Sequence, residues 1–557
     1  MRPPGGVPSA HIDPFIARQL PPRELWPRFD YSAPHLRAYP DRLNASVALL
    51  DAAIEAGAGD RPVFHYEGVT WSYRHLFDRV QRLARVLVED FGVVPGGRVL
   101  LRSPNTPMMA ACWLAVARVG GVVVATMPLL RARELAFILD KAQVRVALCE
   151  VGAIEELAAA AARSPALERI SCFTATCDAG HADADLDRRV AAKPAGAGAV
   201  ATAADDVALV SFTSGTTGNP KGAAHFHRDL LAVTDCWPRV YTVERDEVVA
   251  GSPTLAFTYG LAASLLYPLR YRASAVLMPR PTPEAILAAI ERYRVTSLYS
   301  VPTSYQAMLP LAPRHDLSSL RKCTSAGENL RTRLWNDWHA ATACRIVNGL
   351  GTTEMLTHFV SESMQVACVG SMGHAVPGYT VRLIDDEGRP VPRGEHGRLA
   401  VIGPTGCRYI GDPERQQIAV QHGWNVTGDL CEQDPEGCVW YVDRSDDMIV
   451  SSGYNISAQE IERVLCEHAK VAACAVVGVP DAARGNIVRA CVVLRDPAQA
   501  GEAAARELQE HVKAVLAPYK YPRDVRFLDA LPMTPTGKIQ RYRLREAWRD
   551  TAEPAVQ

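Results

Sequence analysis

Charge of either sign in excess is missing from this chain. Its 60 Lys and Arg stand against 61 Asp and Glu, for a formal net charge of −1. A surface built to track nucleic acid or an anionic bilayer carries a basic surplus, so neither is expected as a main partner. Long apolar runs are missing too. The most membrane-like stretch, 108–130, is interrupted by Arg118 and Gly120-Gly121, and reads as a buried helix, a turn and a strand. The opening MRPPGGVPSAHIDPF holds no apolar core of signal-peptide length, which makes a cytoplasmic location the expectation. No CxxC pair occurs among the 14 cysteines. The two closest in sequence are Cys172 and Cys177, and no histidine completes a zinc-like spacing, so reduced, mostly buried thiols are expected.

What is present is a long, ordinary globular composition. At 557 residues the chain exceeds one core, and 48% hydrophobic with 22% charged residues suits two or more soluble domains. Residues 1–45 are rich in proline and aromatics and read as an irregular arm on the body. A helix opens at Ser72 with a stripe at Leu76, Val80, Leu83 and Leu87, ahead of the strands at Arg98–Leu101, Val122–Ala125 and Val146–Leu148. This alternation predicts a largely parallel, helix-covered sheet. An Ala/Gly linker at 191–205 reads as mobile. A second strand-and-helix set runs from Val248 to about Val360, and 381–441 has short strands with Gly/Pro turns, as in a small β-rich subdomain. From Asp446 a unit of about 110 residues begins, with a capping box at Ser457 to Glu460 and strands near Ala475–Val479 and Arg489–Leu494. The expected class is therefore α/β: a large N-terminal domain of helix-covered sheets plus a β-rich subdomain (1–445), then a small mobile α+β domain (446–557).

The richest chemistry lies at Ser211 to Gly222, SFTSGTTGNPKG, after the apolar run Val207–Val210. Glycines let backbone N–H groups converge on an anion, the hydroxyls of Thr213, Ser214, Thr216 and Thr217 add donors, and Lys221 neutralises charge. This suits a phosphate. It is not the P-loop, because Lys221 follows Pro220 and Gly222 stands where a metal-binding hydroxyl would be.

The stretch Thr213 to Gly222, including Gly215 and Gly218, resembles the nucleotide loop of the adenylate-forming superfamily, which includes acyl- and aryl-CoA synthetases. Further motifs follow in that family's order. Asn348-Gly349-Leu350-Gly351-Thr352-Thr353-Glu354 resembles its Thr-Glu motif, implying phosphate contact by Thr353 and Glu354, with Mg²⁺ held at Glu354. Ser325 to Glu328 resembles the segment packing on adenine, implicating Gly327 and Glu328. Asp429 and Arg444 match the ribose-binding pair, a carboxylate being able to accept from two vicinal hydroxyls. Asp446 matches the hinge about which the C-terminal domain swings. Ser452, Gly453 and Tyr454 resemble the segment facing the CoA tunnel. Lys538, in Pro535 to Arg541, matches the lysine that bridges the acid and the α-phosphate during adenylation. The resemblance thus implies ATP, Mg²⁺ and coenzyme A.

Phe257, Thr258, Tyr259 and Gly260 resemble the acyl-pocket wall of benzoate- and 2-aminobenzoate-CoA ligases, with Thr357 and His358 facing it after Glu354. Aromatic walls stack on an aryl ring. Val450 and Ala224 to Asp229 resemble the 2-aminobenzoate group more than the benzoate one. The implied activity is an ATP-dependent aryl-acid–CoA ligase acting on small molecules, as a monomer or homodimer. Medium-chain acyl-CoA synthesis and loading of a carrier protein are the alternatives. Arg484, Lys520 and Arg523 are cations of the small domain that read as solvated charges rather than CoA contacts.

Overall fold

Val, Ile, Leu and Ala dominate the segments that become parallel strands, since such strands are covered on both faces. Arg98–Arg102 and Val122–Thr126 are buried at every position. They lie at the centre of a six-stranded sheet ordered Arg169–Phe173, Val146–Glu150, Arg98–Arg102, Val122–Thr126, Val207–Thr213, Lys221–Phe226. Its pairs are parallel up to the last, an antiparallel hairpin with Thr213 opposite Lys221. This computed structural model describes residues 7–36, 39–213, 220–328, 330–365, 368–444, 448–533, 539–541 and 543–545, with backbone only at 443 and 444. Ser214, Gly215, Thr216, Thr217, Gly218, Asp446 and Lys538 lie outside the described residues.

A nine-stranded sheet is built from the second set. Its parallel centre is Ile346–Gly351, Lys322–Ser325, Ser297–Ser300, Val248–Gly251, Ser274–Val276 and Pro62–Tyr66, with antiparallel strands at both edges. The β-rich subdomain is an antiparallel sheet of Thr380–Ile384, Gly397–Ile402, Val420–Gln421, Trp424–Gln433 and Val439–Arg444. The C-terminal domain pairs Val471–Asp481 with Gly485–Leu494, adds Asp524–Phe527 in parallel, and covers this sheet with Ala458–Cys466 and Glu502–Val515. No helix among the described residues is long and apolar enough to cross a membrane.

Two expectations change. The 191–205 segment is tied down, not loose. Asn44 Nδ2 donates to the carbonyls of Ala117 and Val200, Arg118 donates to Ala197, and Thr202 bonds Leu43. Side-chain donors from the body satisfy its backbone where regular pairing cannot. The proline-rich arm lies on the body as expected, with Trp26 against Phe226 and Arg408 held over Phe226 beside the buried Asp229.

Lys520 is also not solvated. Its Nζ lies 2.5 Å from Glu134 of Ala132–Ala142 and 2.8 Å from Glu460, all three side chains being at most 5% exposed. Glu134 also accepts from Ala517 N–H. Glu460 therefore serves this triad, and its helix is capped by Ser457 alone. The contact docks the C-terminal domain on the large one, together with a bidentate Arg133–Glu467 pair.

A buried pair that loses one partner costs about 3–5 kcal/mol, because the remaining charge stays desolvated. Lys520→Met is expected to accelerate amide exchange in Ala132–Ala142 and Ala458–Cys466. Adding Glu134→Gln should restore part of the protection, and hydrogen-exchange mass spectrometry reads both.

Candidate active site

The strand Ile346–Gly351 ends in the turn carrying Thr352, Thr353 and Glu354, and the chain returns as His358–Ser361. Two glycines make this return possible. A Cβ on Gly349 would fall 2.5 Å from His358 Cδ2, and one on Gly351 would fall 2.6 Å from the Thr357 carbonyl oxygen. The turn thereby becomes a thin wall between two cavities.

The first cavity, of about 750 Å³, is lined by Thr213, Lys221, Gly327, Glu328, Gly349, Gly351, Thr352, Thr353, Glu354 and Asp429. These segments are far apart in sequence, and the structure brings them together. Tyr409, which no motif singles out, organises its charged end. Its hydroxyl donates to Glu354 Oε1 at 2.5 Å, and Lys221 Nζ lies 3.5 Å from the Tyr409 hydroxyl oxygen and 5.2 Å from the ring centroid. Burial and the neighbouring Glu354 push the Tyr409 pKa up, so the phenol remains a donor. Asp429 stands opposite Arg444 in the antiparallel pair. Glu354 and the adjacent threonine hydroxyls suit Mg²⁺ riding on phosphates, which needs one or two carboxylates and otherwise keeps water.

The second cavity, of about 1270 Å³, is lined by Phe257, Thr258, Tyr259, Thr357 and His358, and by Ser452, Gly453 and Tyr454. Gly351, Thr352 and Thr353 line both cavities. His358 is 2% exposed, stacked on Trp237 (4.9 Å between centroids) and met edge-on by Tyr259. Burial lowers its pKa to about 4, so the ring is neutral near pH 7. Its Nδ1 lies 3.5 Å from Thr357 Oγ1, which in turn meets Tyr267 OH at 2.8 Å. Its Nε2 makes no hydrogen bond in this structure, though the Ser325 backbone faces the ring. Tyr267 and Trp237, buried behind the wall, have no sequence signal beyond being aromatic.

Two expected residues sit behind the walls. Asn348 is buried and donates its Nδ2 to the Ser371 carbonyl, holding a neighbouring loop instead of reaching ligand. Gly260 lies inside the helix Thr258–Leu261, where a Cβ would collide with the Thr254 backbone. Its absence of a side chain serves packing. Arg484, also expected in solvent, lines the second cavity and places Nη1 3.4 Å from Ser452 Oγ.

Glu328 joins the two domains. Its carboxylate accepts from Thr303 N–H at 3.1 Å and is faced by the Gly453 amide. Tyr454 meets Phe257 edge-on and stacks on Tyr519.

The family model described as AMP-binding enzyme matches residues 50–408, and that described as AMP-binding enzyme C-terminal domain matches 460–538. A benzoate–CoA ligase of Thauera aromatica is 35% identical over 514 residues, covering 91% of this chain and 97% of the relative. Among solved structures, an anthranilate CoA ligase, AuaEII, with anthranoyl-AMP is 30% identical, with TM-score 0.71 and coverage of 91% and 98%. The amide bond synthetase McbA of Marinactinospora thermotolerans is 28% identical, with TM-score 0.81 and coverage of 91% and 100%.

Burial pushes the Glu328 pKa up to about 7. A carboxyl raised in the folded state binds more protons there than when unfolded. Its stabilising contribution is full below the unfolded value and is lost as pH rises through about 7. Thermal unfolding from pH 5 to 8 is expected to show wild type losing stability relative to Glu328→Gln. A constant difference would contradict the shift. By its motifs, its fold and its matched domains, the chain belongs to the AMP-binding enzyme family, in the adenylate-forming group that holds the acyl- and aryl-CoA ligases.

Proposed function

We propose that this protein is an ATP-dependent acid–CoA ligase activating an aromatic carboxylic acid, 2-aminobenzoate or a benzoate-like acid. The carrying observation is the shared wall Gly351–Thr353, with an aromatic-lined cavity on one side and a Lys/Glu/Asp-lined cavity on the other. An acid lying against Phe257, Tyr259 and His358 directs its carboxylate toward phosphates held beside Thr353, Glu354 and Lys221. The similarity to the benzoate–CoA and anthranilate CoA ligases supports this choice of acid.

In the first half-reaction a carboxylate oxygen attacks the α-phosphorus of ATP. The α–β anhydride bond breaks, and pyrophosphate leaves with an acyl-adenylate formed. Lys221 offsets charge on the departing pyrophosphate. Lys538 bridges the acid and the α-phosphate, where two anions must meet. Glu354, steadied by Tyr409, and Thr353 would hold Mg²⁺, which supplies charge neutralisation on the phosphates. Asp429 and Arg444 orient the ribose.

In the second half-reaction the CoA thiolate attacks the acyl carbon, and the bond to AMP breaks. The docked arrangement, with Gly453 at Glu328 and Tyr454 at Phe257, suits this step, because the Ser452–Tyr454 segment lines the acid's cavity. Adenylation needs Lys538 brought in instead, by rotation near Asp446 of a unit running from 446 to 557.

One preorganised charge at such a centre is worth about 3–4 kcal/mol, or roughly 10²–10³-fold in rate. Lys538→Ala is expected to lose that much in acid-dependent ATP–pyrophosphate exchange while still forming thioester from supplied acyl-adenylate. Equal loss in both would remove the role given to Lys538. The same exchange assay over aryl and alkyl acids separates an aryl ligase from a medium-chain one. Release of free acyl-CoA separates it from a carrier-protein loader or an amide-forming enzyme. His358→Ala should change the rate ratio of 2-aminobenzoate to benzoate, and an unchanged ratio assigns His358 to packing alone.

A further inference from the structure

Outside the catalytic cavities, three metal-ligating side chains meet at one point. Cys368 and Cys438 are 70 residues apart in sequence and in disulfide contact, with Cα atoms 6.9 Å apart. The His374 ring adjoins them, its Nε2 3.6 Å from Cys438 Sγ. One ligand atom from each lies within 4.8 Å of the others. Among the described residues no other His, Cys, Asp or Glu group of three or more converges in this way.

The sheet produces the meeting. Met372 N–H donates to Val439 O and Val439 N–H to Gly373 O, which aligns 368–374 beside the start of Val439–Arg444. Cys438 N–H is fixed by Asp434, and Cys368 N–H by the buried Glu362. Cys438 is buried and His374 exposed, leaving a route for an ion from solvent.

We propose that Cys368, His374 and Cys438, with both sulfurs reduced, form a binding site for a thiophilic divalent cation of the Zn²⁺ class. Two thiolates and an imidazole are three of the four ligands that such an ion takes, and water supplies the fourth. Tetrahedral bonds of about 2.0–2.3 Å place neighbouring ligand atoms about 3.5–3.8 Å apart, the range of the His374–Cys438 separation. Reaching this state from the disulfide takes two electrons and two protons: a dithiol gives both and closes to its own disulfide, whereas a phosphine gives the electrons and becomes its oxide, with water supplying the oxygen and the protons. Metal binding then displaces the protons of the two thiols.

The site braces the nucleotide cavity from outside. Glu362, which fixes Cys368, also accepts from Asn348 N–H, and Asn348 Nδ2 donates to Ser371 O. Asn348 belongs to the strand leading to Thr352–Glu354, while Cys438 leads into the strand carrying Tyr441 and Arg444. One ion there ties the two walls together.

The test needs no activity measurement, so it stands apart from the assignment of substrate. The full-length protein is reduced with a phosphine, freed of metal and titrated with Zn²⁺ against a chromophoric chelator. Co²⁺ is used in parallel for its thiolate charge-transfer absorption. The expected result is one ion per chain with that absorption, binding at least tenfold weaker in Cys438→Ser and in His374→Ala. His374→Ala, exposed at the surface, keeps the measurement valid if Cys438→Ser fails to fold. No retained ion in the reduced wild type, or equal binding in His374→Ala and wild type, overturns the proposal.

Discussion

The close approach of two backbones at Gly349 and Gly351 is the constraint on which the rest depends. A side chain on either glycine would push the strand His358–Ser361 away from Ile346–Gly351. The turn bearing Thr352, Thr353 and Glu354 would then no longer line both cavities at once. A wall shared in this way lets groups held on its two sides approach each other closely. Proximity of that kind accounts for much of the barrier lowering open to an enzyme whose two substrates are both anionic.

Buried charge does the fastening around this wall. Arg408 and Asp229, both fully buried, tie the strand Lys221–Phe226 to the aromatic arm. Lys520, Glu134 and Glu460 fasten the C-terminal domain. Such clusters are poor sources of net stability compared with apolar packing, because desolvation offsets their attraction. Their advantage is specificity of geometry. A buried triad has its charges satisfied only where all three partners meet, so it defines the docked arrangement sharply. Apolar surface of the same extent would tolerate sliding.

The order of the motifs was legible because each places unusual residue types where regular pairing stops or slips. Gly-Thr-Thr-Glu and the hydroxyl-rich hairpin fall at strand ends, and Thr427-Gly428-Asp429 falls at a register shift inside Trp424–Gln433. The alternation of strands and helices was legible for the same reason: burial on both faces demands apolar runs. Tertiary choices were not. Tyr409 carries no motif, and its meeting with Lys221 and Glu354 arises from the contact between two sheets. Lys520 looked like any surface lysine until a glutamate almost 400 residues earlier in the chain, Glu134, was placed against it. The linker at 191–205 has the composition of a loose segment, but Asn44 and Arg118 supply the hydrogen bonds its own residues lack. No spacing along the chain marks Cys368 and Cys438 as partners, because the sheet brings them together across 70 residues.

Glu328 shows why one residue can read as a nucleotide contact in sequence and as a domain contact in structure. It lines the nucleotide cavity while meeting Gly453 of the other domain. A carboxylate here cannot serve a full hydrogen-bond set for both at once. Its raised pKa near 7 means that the docked state favours the proton-bearing form, whereas a domain swung away would return the group to water and its ordinary range. Contact of Gly453 with Glu328 is therefore coupled to proton binding at this one group. That coupling acts across the domain contact, away from the Gly351–Thr353 wall.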